Sequence, residues 1–338
     1  MFNRRSVFAG MLAVGLAMPL AARSEPLEKP NLTVAIGTWT FAYLPLIVAQ
    51  TEGMFRDEGL NVTIQNFNAG GSRAVQALIG GSTDTVVGYY DHTIQLQSQH
   101  KYIRCVVLLD RLAGPVLEVR SELRPQIHDV ADLKGHRIGI SAFGSSIEFQ
   151  LRYLMSRAGL HPEDYTVLPI GTDASAVAAV EHKQVDALVT SDPGATFMQQ
   201  RNLVQPLVDS RTDAGSTQAF GGPYPTACLY ATQPFIDGNP HTMQHLVNAF
   251  VKALRWLHTH TPEEITKAVP AEYELNDPAM FQTVVRNSAD LFSQTGTISA
   301  EDARRVLSIF ASYDPRIAQA HIDLDRTYTN DFVKAAAP

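Results

Sequence analysis

Cysteine is scarce in this 338-residue chain, which has only Cys105 and Cys228. So few cysteines exclude a disulfide-rich scaffold. Both lie in strand-like apolar runs, so they are either paired with each other or are two separate buried apolar side chains, and the sequence leaves both interpretations open. Neither stands in the N-terminal region, and we therefore expect no lipid-anchor cysteine.

Clusters of positive charge are also missing. The chain has 27 lysines and arginines against 34 acidic residues, which gives a formal net charge of −7. Nucleic-acid binding requires clustered lysine and arginine, so we expect no nucleic-acid partner. The sequence contains neither a glycine-rich phosphate loop nor a GxSxG nucleophile motif, which disfavours nucleotide-dependent and serine-hydrolase chemistry.

A single apolar run of signal-peptide character lies near the N-terminus. Arg4 and Arg5 precede it, the run extends over about residues 7–20, and small residues and Pro26 follow. This order predicts a signal peptide over residues 1–24, too short to span a membrane comfortably, and export by the Sec or the Tat route. We expect the mature protein to be a monomer in the periplasm without a lipid anchor.

The rest of the chain alternates strand-like runs with helical runs, and the pattern occurs twice. The stretch at 72–90, SRAVQALIGGSTDTVVGYY, matches the stretch at 174–192, ASAVAAVEHKQVDALVTSD, at constant spacing, and Asp84 falls on Asp186. Between the first two strands, residues 42–59 predict one helix. Strands that alternate with helices form parallel, doubly wound sheets. The sequence therefore predicts an α/β protein with two lobes of one architecture.

The lobe boundaries follow from the position of the two repeats. We place lobe one at 31–115 and 224–338 and lobe two at 116–223, joined by two crossings that act as hinges. The C-terminal part reads as helices, because prolines follow capping residues at several points. We expect these helices to cover lobe one.

Ligands of open α/β sheets bind beyond the carboxyl ends of the strands. Two such lobes that face each other define one cleft, and the residues after each strand are its candidate wall. These residues are rich in rings, hydroxyls and glycines. The candidate ligand-binding residues are Trp39, Thr40, Phe41, Gly71, Ser72, Tyr89, Tyr90, Asp91, Phe143, Ser145, Ser146 and Asp192.

Several of these candidates have an ordinary structural alternative. Ser145 and Ser146 either hold an anionic group at a helix N-terminus or cap that helix. Asp91 either meets a donor on the ligand or caps the next helix, and for Asp192 capping is favoured. We interpret the neighbouring His92 as a structural hydrogen-bonding residue rather than a ligand contact.

The aromatic and histidine patterns leave fewer options. Trp39 and Phe41 form either an aromatic wall of the cleft or ordinary core packing. His258 and His260 are spaced like metal ligands, but residues two apart on a helix point in different directions. We expect no metal, no cofactor and no catalytic residue.

Five motifs resemble, in the same order, those of the periplasmic solute-binding proteins of the nitrate, sulfonate and taurine ABC transporters and their thiamine-pyrimidine relatives. They are PLIVAQTEGMFRDEGLNVTI, AGGSRAVQALIGGSTD, DVADLKGHRIGI, AGLHPEDYTVLPI and QVDALVTSDP. The resemblance implies a type II periplasmic binding fold that closes on a small solute and docks on an inner-membrane permease with its ATPase. The solute does not carry over, and a sulfonate, a carboxylate and a nitrogen-containing aromatic are all compatible.

Two other functions remain open at this stage. One is an exported enzyme on the same fold, similar to a pyrimidine synthase or a dehydratase, although the chain lacks the cysteine-rich run of the pyrimidine synthases. The other is a soluble receptor that presents its ligand to a sensor instead of a permease. The missing cysteine-rich run, the export signal and the absence of nucleophile and phosphate-loop motifs favour a binding protein over an enzyme.

Overall fold

The structure is a computed structural model that describes residues 26–336, so the predicted signal peptide at 1–24 lies outside the described residues. The first part of the described chain forms β1 (Asn31–Ile36), α1 (Leu44–Thr51), α2 (Met54–Asp57), β2 (Asn61–Asn66), α3 (Gly71–Ile79), β3 (Thr85–Tyr89), α4 (Asp91–Gln97) and β4 (Ile103–Leu108). The middle part forms β5 (Val116–Arg120), β6 (Arg137–Ile140), α5 (Ser146–Arg157), β7 (Thr166–Pro169), α6 (Asp173–Glu181), β8 (Ala187–Thr190), α7 (Gly194–Gln200), β9 (Val204–Asp209) and α8 (Asp213–Phe220). The last part forms β10 (Ala227–Thr232), α9 (Gln233–Gly238), α10 (Pro240–Thr259), α11 (Pro262–Ala268), α12 (Pro278–Asn287), α13 (Ala300–Tyr313), α14 (Pro315–Gln319) and α15 (Asp331–Ala335).

Two five-stranded sheets of the same construction organise the molecule. The first has the order β2-β1-β3-β10-β4 and the second has the order β7-β6-β8-β5-β9. In each sheet three neighbouring strands are parallel and the fourth is antiparallel to both of its neighbours. The strand β5 enters the second sheet directly after β4 of the first, and β10 later returns to the first sheet. This architecture confirms the predicted two-lobe α/β fold with two crossings.

The two crossings run side by side between the sheets. The amide of Asp110 donates to the carbonyl of Ala227 at 3.0 Å, and the amide of Thr226 donates to the carbonyl of Asp110 at 3.1 Å. The amide of Tyr224 donates to the carbonyl of Arg111 at 2.9 Å. The segments that connect the sheets are therefore held to each other by backbone hydrogen bonds, as two strands of a short ribbon.

The sequence duplication is a structural duplication. Helices α3 and α6 begin 102 residues apart (173 − 71) and end 102 residues apart (181 − 79). Asp84 accepts a hydrogen bond from the amide of Thr33 at 2.9 Å, and Asp186 accepts one from the amide of Arg137 at 3.0 Å. Asp84 at the start of β3 thus ties β3 to β1, and Asp186 at the start of β8 ties β8 to β6 in the same way.

The C-terminal helices lie on the first lobe and also reach the second. The longest helix of the described residues, α10, packs on α1 and α2, with the rings of Phe55 and Phe250 5.5 Å apart. Helix α13 in addition contacts α5 of the second lobe, where the rings of Phe149 and Phe310 are 4.8 Å apart. Within residues 26–336 no helix has the length and apolar character to cross a membrane.

The two cysteines lie in adjacent strands of the first sheet. Cys105 belongs to β4 and Cys228 to β10, and both are buried free thiols. Of the two interpretations that the sequence left open, the structure therefore shows the unpaired one. The thiols act here as small apolar side chains of the core.

Candidate functional site

A cavity lies between the two sheets, at the carboxyl ends of their parallel strands. It holds about 630 Å³ of space not filled by atoms, including its mouth. The first sheet contributes the residues after β1 and the end of β3, and the second sheet contributes the residues after β6, β7 and β8. The position, beyond the carboxyl ends of parallel strands in two facing sheets, is that of a small-molecule site between two lobes.

Seven of the twelve candidate residues line this cavity. Strand β1 ends just before Trp39 and Thr40, β3 ends at Tyr89, and β8 ends two residues before Asp192. Gly71 begins helix α3, while Ser145 precedes helix α5 and caps it through its hydroxyl. The candidates in the cavity wall are Trp39, Thr40, Gly71, Tyr89, Ser145, Ser146 and Asp192.

Two aromatic candidates lie in the core instead. Phe41 is buried between the rings of Phe281 and Phe292, at 5.8 and 5.3 Å. Tyr90 is also buried, and its hydroxyl makes a 2.6 Å hydrogen bond with the hydroxyl of Thr327. Tyr89 ends β3 and lines the cavity, whereas Tyr90 follows β3 in a helical conformation and contacts Thr327 and Tyr328. Phe41 and Tyr90 therefore do not belong to the cavity wall.

Two further candidates lie at the rim, outside the cavity wall. Phe143 is 56% exposed, and its carbonyl accepts a hydrogen bond from the hydroxyl of Ser72 at 3.2 Å. Ser72 belongs to the first lobe and Phe143 to the second. These residues therefore join the lobes at the cavity mouth, where we had expected them to contact ligand.

Asp91 lies directly behind the wall and is fully buried. Its Oδ1 accepts a 2.6 Å hydrogen bond from the hydroxyl of Ser146, whereas its Oδ2 has no hydrogen-bond partner among the described residues. Burial raises the pKa of Asp91, and the nearby His92 and the Ser146 hydroxyl only partly offset this effect. Asp91 is not the side-chain cap of α4. Its visible role is to connect the first lobe to Ser146 of the second.

The raised pKa of Asp91 gives a testable pH dependence of stability. A carboxyl whose pKa is higher in the folded state stabilises the fold at low pH, and this contribution is lost as the pH rises through the folded-state pKa. We expect Asp91→Asn to lack this loss, so that its free energy of unfolding relative to the wild type increases as the pH rises from about 4, the ordinary pKa of an aspartate, to about 8. Urea denaturation of both proteins across this range measures the difference. A constant difference would contradict the prediction.

Ten cavity residues were not among the candidates. The duplication was the available signal for some of them, because Ser191 stands 102 residues after Tyr89 and therefore occupies the equivalent strand end (191 − 89). Thr38, Ser141 and Thr172 follow the ends of β1, β6 and β7, which was also a signal, whereas Tyr43 and Ile147 depend on long-range packing. The additional wall residues are Thr38, Tyr43, His92, Ser141, Ile147, Gly171, Thr172, Val189, Thr190 and Ser191.

The cavity wall is rich in hydroxyl groups and poor in charge. No lysine or arginine belongs to the wall as the described residues form it. Burial raises the pKa of Tyr43 and of Tyr89, so both phenols are neutral at physiological pH. Helices α3, α5 and α6 begin at this wall, and their free amides add partial positive charge. The described residues hold no group of three or more metal-ligating side chains.

Asp192 is fully matched by groups around it. Its Oδ1 accepts from the amide of Thr196 at 3.0 Å, and its Oδ2 accepts from the guanidinium of Arg211 and the hydroxyl of Ser288, both at 3.1 Å. The first of these contacts supports the favoured alternative, an acid at the start of a helix. The negative charge of Asp192 is therefore compensated from behind the wall.

The lobes touch each other around the cavity. The hydroxyls of Thr38 and Thr172 are 2.9 Å apart, and the amide of Phe41 donates to the carbonyl of Asp192 at 2.8 Å. The bond between Ser146 and Asp91 adds a third connection. These bonds link one sheet to the other on several sides of the cavity.

Two curated proteins are similar to this chain over most of its length. The "putative binding protein YtlA" of Bacillus subtilis is 23% identical over 281 residues, which cover 82% of this chain and 81% of that protein. The 4-amino-5-hydroxymethyl-2-methylpyrimidine phosphate synthase THI11 of Saccharomyces cerevisiae is 24% identical over 308 residues, which cover 88% of this chain and 85% of the synthase. Sequence similarity thus extends to a protein named for binding and to one named for catalysis.

Solved structures share the whole fold. A Bordetella bronchiseptica protein superposes with a TM-score of 0.87 at 36% identity, covering 92% of this chain and 98% of its own. The alkanesulfonate-binding protein SsuA of Xanthomonas axonopodis pv. citri, solved with MOPS, superposes with a TM-score of 0.72 at 19% identity, covering 90% and 100%. A family model described as NMT1/THI5 like matches residues 40–265, which is more than half of the chain. The chain therefore belongs to the NMT1/THI5-like family.

Proposed function

We propose that this protein is the solute-binding component of an ABC importer, which captures a small organic molecule in the cavity between its lobes. The observation that carries the proposal is the cavity itself, enclosed by two lobes and lined mainly by hydroxyls and rings. Such a wall offers hydrogen bonds and stacking without a cofactor. The fold it shares with an alkanesulfonate-binding protein supports the same function.

Capture requires the lobes to open and close. We propose lobe one at 31–115 and 224–338, lobe two at 116–223, and a hinge in the two paired crossings. Two narrow connections concentrate the change of backbone dihedral angles in a few residues. The hydrogen bonds that join the lobes around the cavity would then form on closure and break on opening.

The partner and the location follow from the same proposal. The closed form presents both lobes to an inner-membrane permease with its ATPase, and the N-terminal Arg pair with its apolar run directs the chain to the periplasm. A sulfonate, a carboxylate or a nitrogen-containing aromatic fits the wall. Where the ligand has an aromatic ring, that ring would lie against Trp39, Tyr43 and Tyr89.

Catalysis is the second candidate, because one group of relatives is named as synthases. Cys105 and Cys228 both lie in the core and neither belongs to the cavity wall. Tyr43 and Tyr89 are held in the neutral form by burial. The described wall thus offers no activated nucleophile, and we propose binding as the function.

A thermal-shift screen tests this function. We expect one class among sulfonates, carboxylates, aromatic acids and pyrimidines to raise the melting temperature of the mature protein, since a ligand at a hundred times its Kd stabilises the native state by about 2.7 kcal/mol. Mass spectrometry of the same samples is expected to recover the compound unchanged. A compound that is converted would establish an enzyme, and the absence of any shift across all classes would contradict the proposed function.

A further inference from the structure

The imidazole of His92 forms part of the cavity wall in an unusual state. Its residue is 1% exposed, and its Nδ1 has no hydrogen-bond partner among residues 26–336. Its Nε2 lies 3.4 Å from the carbonyl oxygen of Gly144, which is a long contact. A buried polar atom without a partner costs free energy. The unpaired Nδ1 of His92 therefore destabilises the folded protein, and no contact within the described residues offsets this cost.

His92 is also the one basic side chain of the wall as the described residues form it. Asp192 is matched by Arg211, and burial keeps the phenols of Tyr43 and Tyr89 neutral. Apart from these groups, the wall formed by the described residues consists of hydroxyl, aliphatic, glycine and indole groups. Imidazole is the side chain that ordinarily titrates in the physiological range.

The helices packed around His92 carry few competing charges. On its own helix, Asp91 lies 3.9 Å from Nδ1 and already accepts the Ser146 hydroxyl. From α5, Glu148 accepts the amide of Gly144, and the ring of Phe149 stands 5.9 Å from the imidazole.

Helix α3 contributes a glycine and an arginine that is engaged elsewhere. Gly71 approaches so closely that a Cβ atom there would lie 2.9 Å from Cε1 of His92. The guanidinium of Arg73 lies over the ring of Phe67. Behind His92, the phenols of Tyr224, Tyr230 and Tyr313 are neutral because burial raises the pKa of each. Asp91 is thus the group beside His92 that competes for a proton.

We propose that His92 matches the charge of the solute: it takes up a proton when a solute with one negative charge binds, and the cavity therefore selects monoanions. This inference rests on the proposed binding function and specifies its substrate class. The imidazolium would donate through Nε2 to the Gly144 carbonyl and direct Nδ1 to the Asp91 side, so both ring nitrogens gain a partner. The solute's acidic group would meet the positive ring together with the free backbone amides at the start of α5.

The charge balance explains the selectivity. Burial favours the protonated carboxyl of Asp91 beside the ring, so one imidazolium compensates one negative charge in a wall that has no other free cation among the described residues. A dianion would retain one unmatched charge in a site with little water, which is costly. A neutral analogue would gain nothing from protonation. Affinity is therefore expected in the order monoanion, then neutral molecule and dianion.

The direction of the pH effect follows from linkage. A bound anion favours the protonated imidazole, so binding takes up a proton. The gain in affinity is complete at a pH low enough for His92 of the free protein to be protonated already. It is lost as the pH rises to the point where even the bound imidazole is neutral. Affinity for a fixed monoanion therefore increases from pH 8 to pH 6.

The test uses three probes of similar shape: benzenesulfonate, the neutral methyl phenyl sulfone, and phenylphosphonate at pH 8, where it is a dianion. Isothermal titration calorimetry of the mature protein, at several pH values and in buffers of different ionisation enthalpy, gives the Kd and the number of protons taken up. We expect benzenesulfonate to bind with uptake of up to one proton and at least about tenfold more tightly at pH 6 than methyl phenyl sulfone. Equal binding of the neutral probe, or tighter binding of the dianion, would overturn the proposal.

Two variants assign the proton. His92→Asn is expected to lose the proton uptake and to weaken benzenesulfonate binding about tenfold or more at pH 6, while the exposed His100→Asn serves as a matched control and retains both. Uptake that persists in His92→Asn but disappears in Asp91→Asn would assign the proton to Asp91 and refute the role of His92. If the screen finds only neutral or cationic ligands, the binding function stands and this inference fails. If no compound binds, both fail.

Discussion

Replacing Arg211 with alanine is expected to lower the free energy of unfolding by about 3–5 kcal/mol, the usual cost of removing one partner of a buried ion pair. The side chains of Arg211 and Asp192 are 7% and 3% exposed, and their contact is 3.1 Å. Burial opposes the charge of Arg211, but the hydrogen bonds and charges of Asp209 and Asp192 outweigh it and raise the pKa of Arg211. Alanine would leave Asp192 with a buried charge and no cation.

An arginine at the surface provides the matched control. Arg111 pairs with Asp213 at 2.8 and 2.5 Å, but the two side chains are 31% and 55% exposed. Arg111→Ala is therefore expected to cost about 0–1 kcal/mol, because water replaces the lost partner. Chemical denaturation of both variants at pH 7 measures the contrast. Equal losses would mean that burial is not what makes the Arg211 pair important.

A double variant separates the charge from the packing. If the loss in Arg211→Ala comes from an unpaired carboxylate at Asp192, then adding Asp192→Asn is expected to recover part of it. A loss that remains unchanged would instead arise from the removed arginine contacts to Thr196 and Asp209, which are 3.1 and 2.6 Å long.

The elements that local sequence signals control were predictable. Apolar runs gave the strands, and prolines behind capping residues marked helix starts, since Pro240, Pro262 and Pro278 are the first residues of α10, α11 and α12. The repeat of one pattern at constant spacing gave the two lobes before any contact was known. One helix was wrong: residues 42–59 form two helices, because Gly53 adopts a φ of 73° between α1 and α2.

The site was predictable only to the level of strand ends. Sequence indicates that residues after β1, β3, β6 and β8 meet at one edge, but not which side of the chain faces the cavity. For this reason the local sequence does not reveal that Phe41 and Tyr90 lie in the core. Asp192 illustrates a second limit, because two of its partners, Arg211 and Ser288, lie 19 and 96 residues away and neither spacing carries a local signal.

His92 shows a third limit. Beside an aspartate at the start of a helix, a histidine reads as a structural hydrogen-bonding residue. In the structure it belongs to the wall, because α3 begins with Gly71 and leaves room for the ring. The decisive property is thus a missing side chain in another element, which the local sequence around His92 does not contain.

The prediction with the largest expected effect on function concerns Ala142, at a point of close contact between the lobes. A methyl group at Gly70 of the first lobe would lie 2.8 Å from the Cβ of Ala142 in the second. The closed form therefore has no room for a larger side chain on that line of contact. We expect Ala142→Leu to hold the lobes apart, as a wedge between two otherwise intact units.

The wedge is expected to act on binding and not on folding. Overpacking a closed contact costs about 1–3 kcal/mol, which would weaken solute binding roughly 5- to 150-fold. The melting temperature without solute is expected to stay close to that of the wild type, because the open form relieves the clash. Calorimetry with the solute found by the screen measures the affinity, and small-angle X-ray scattering measures whether solute still makes the molecule more compact.

Ala318→Leu is the matched control, since Ala318 is exposed on α14 and away from the cavity. It is expected to retain both the affinity and the compaction. Full affinity and normal compaction in Ala142→Leu would show that the contact between Gly70 and Ala142 does not form when solute binds, and the proposed closure would be wrong at this point. A lower melting temperature without solute would show instead that the free protein is already closed. The two measurements together therefore distinguish a protein that closes on its solute from one that is permanently shut.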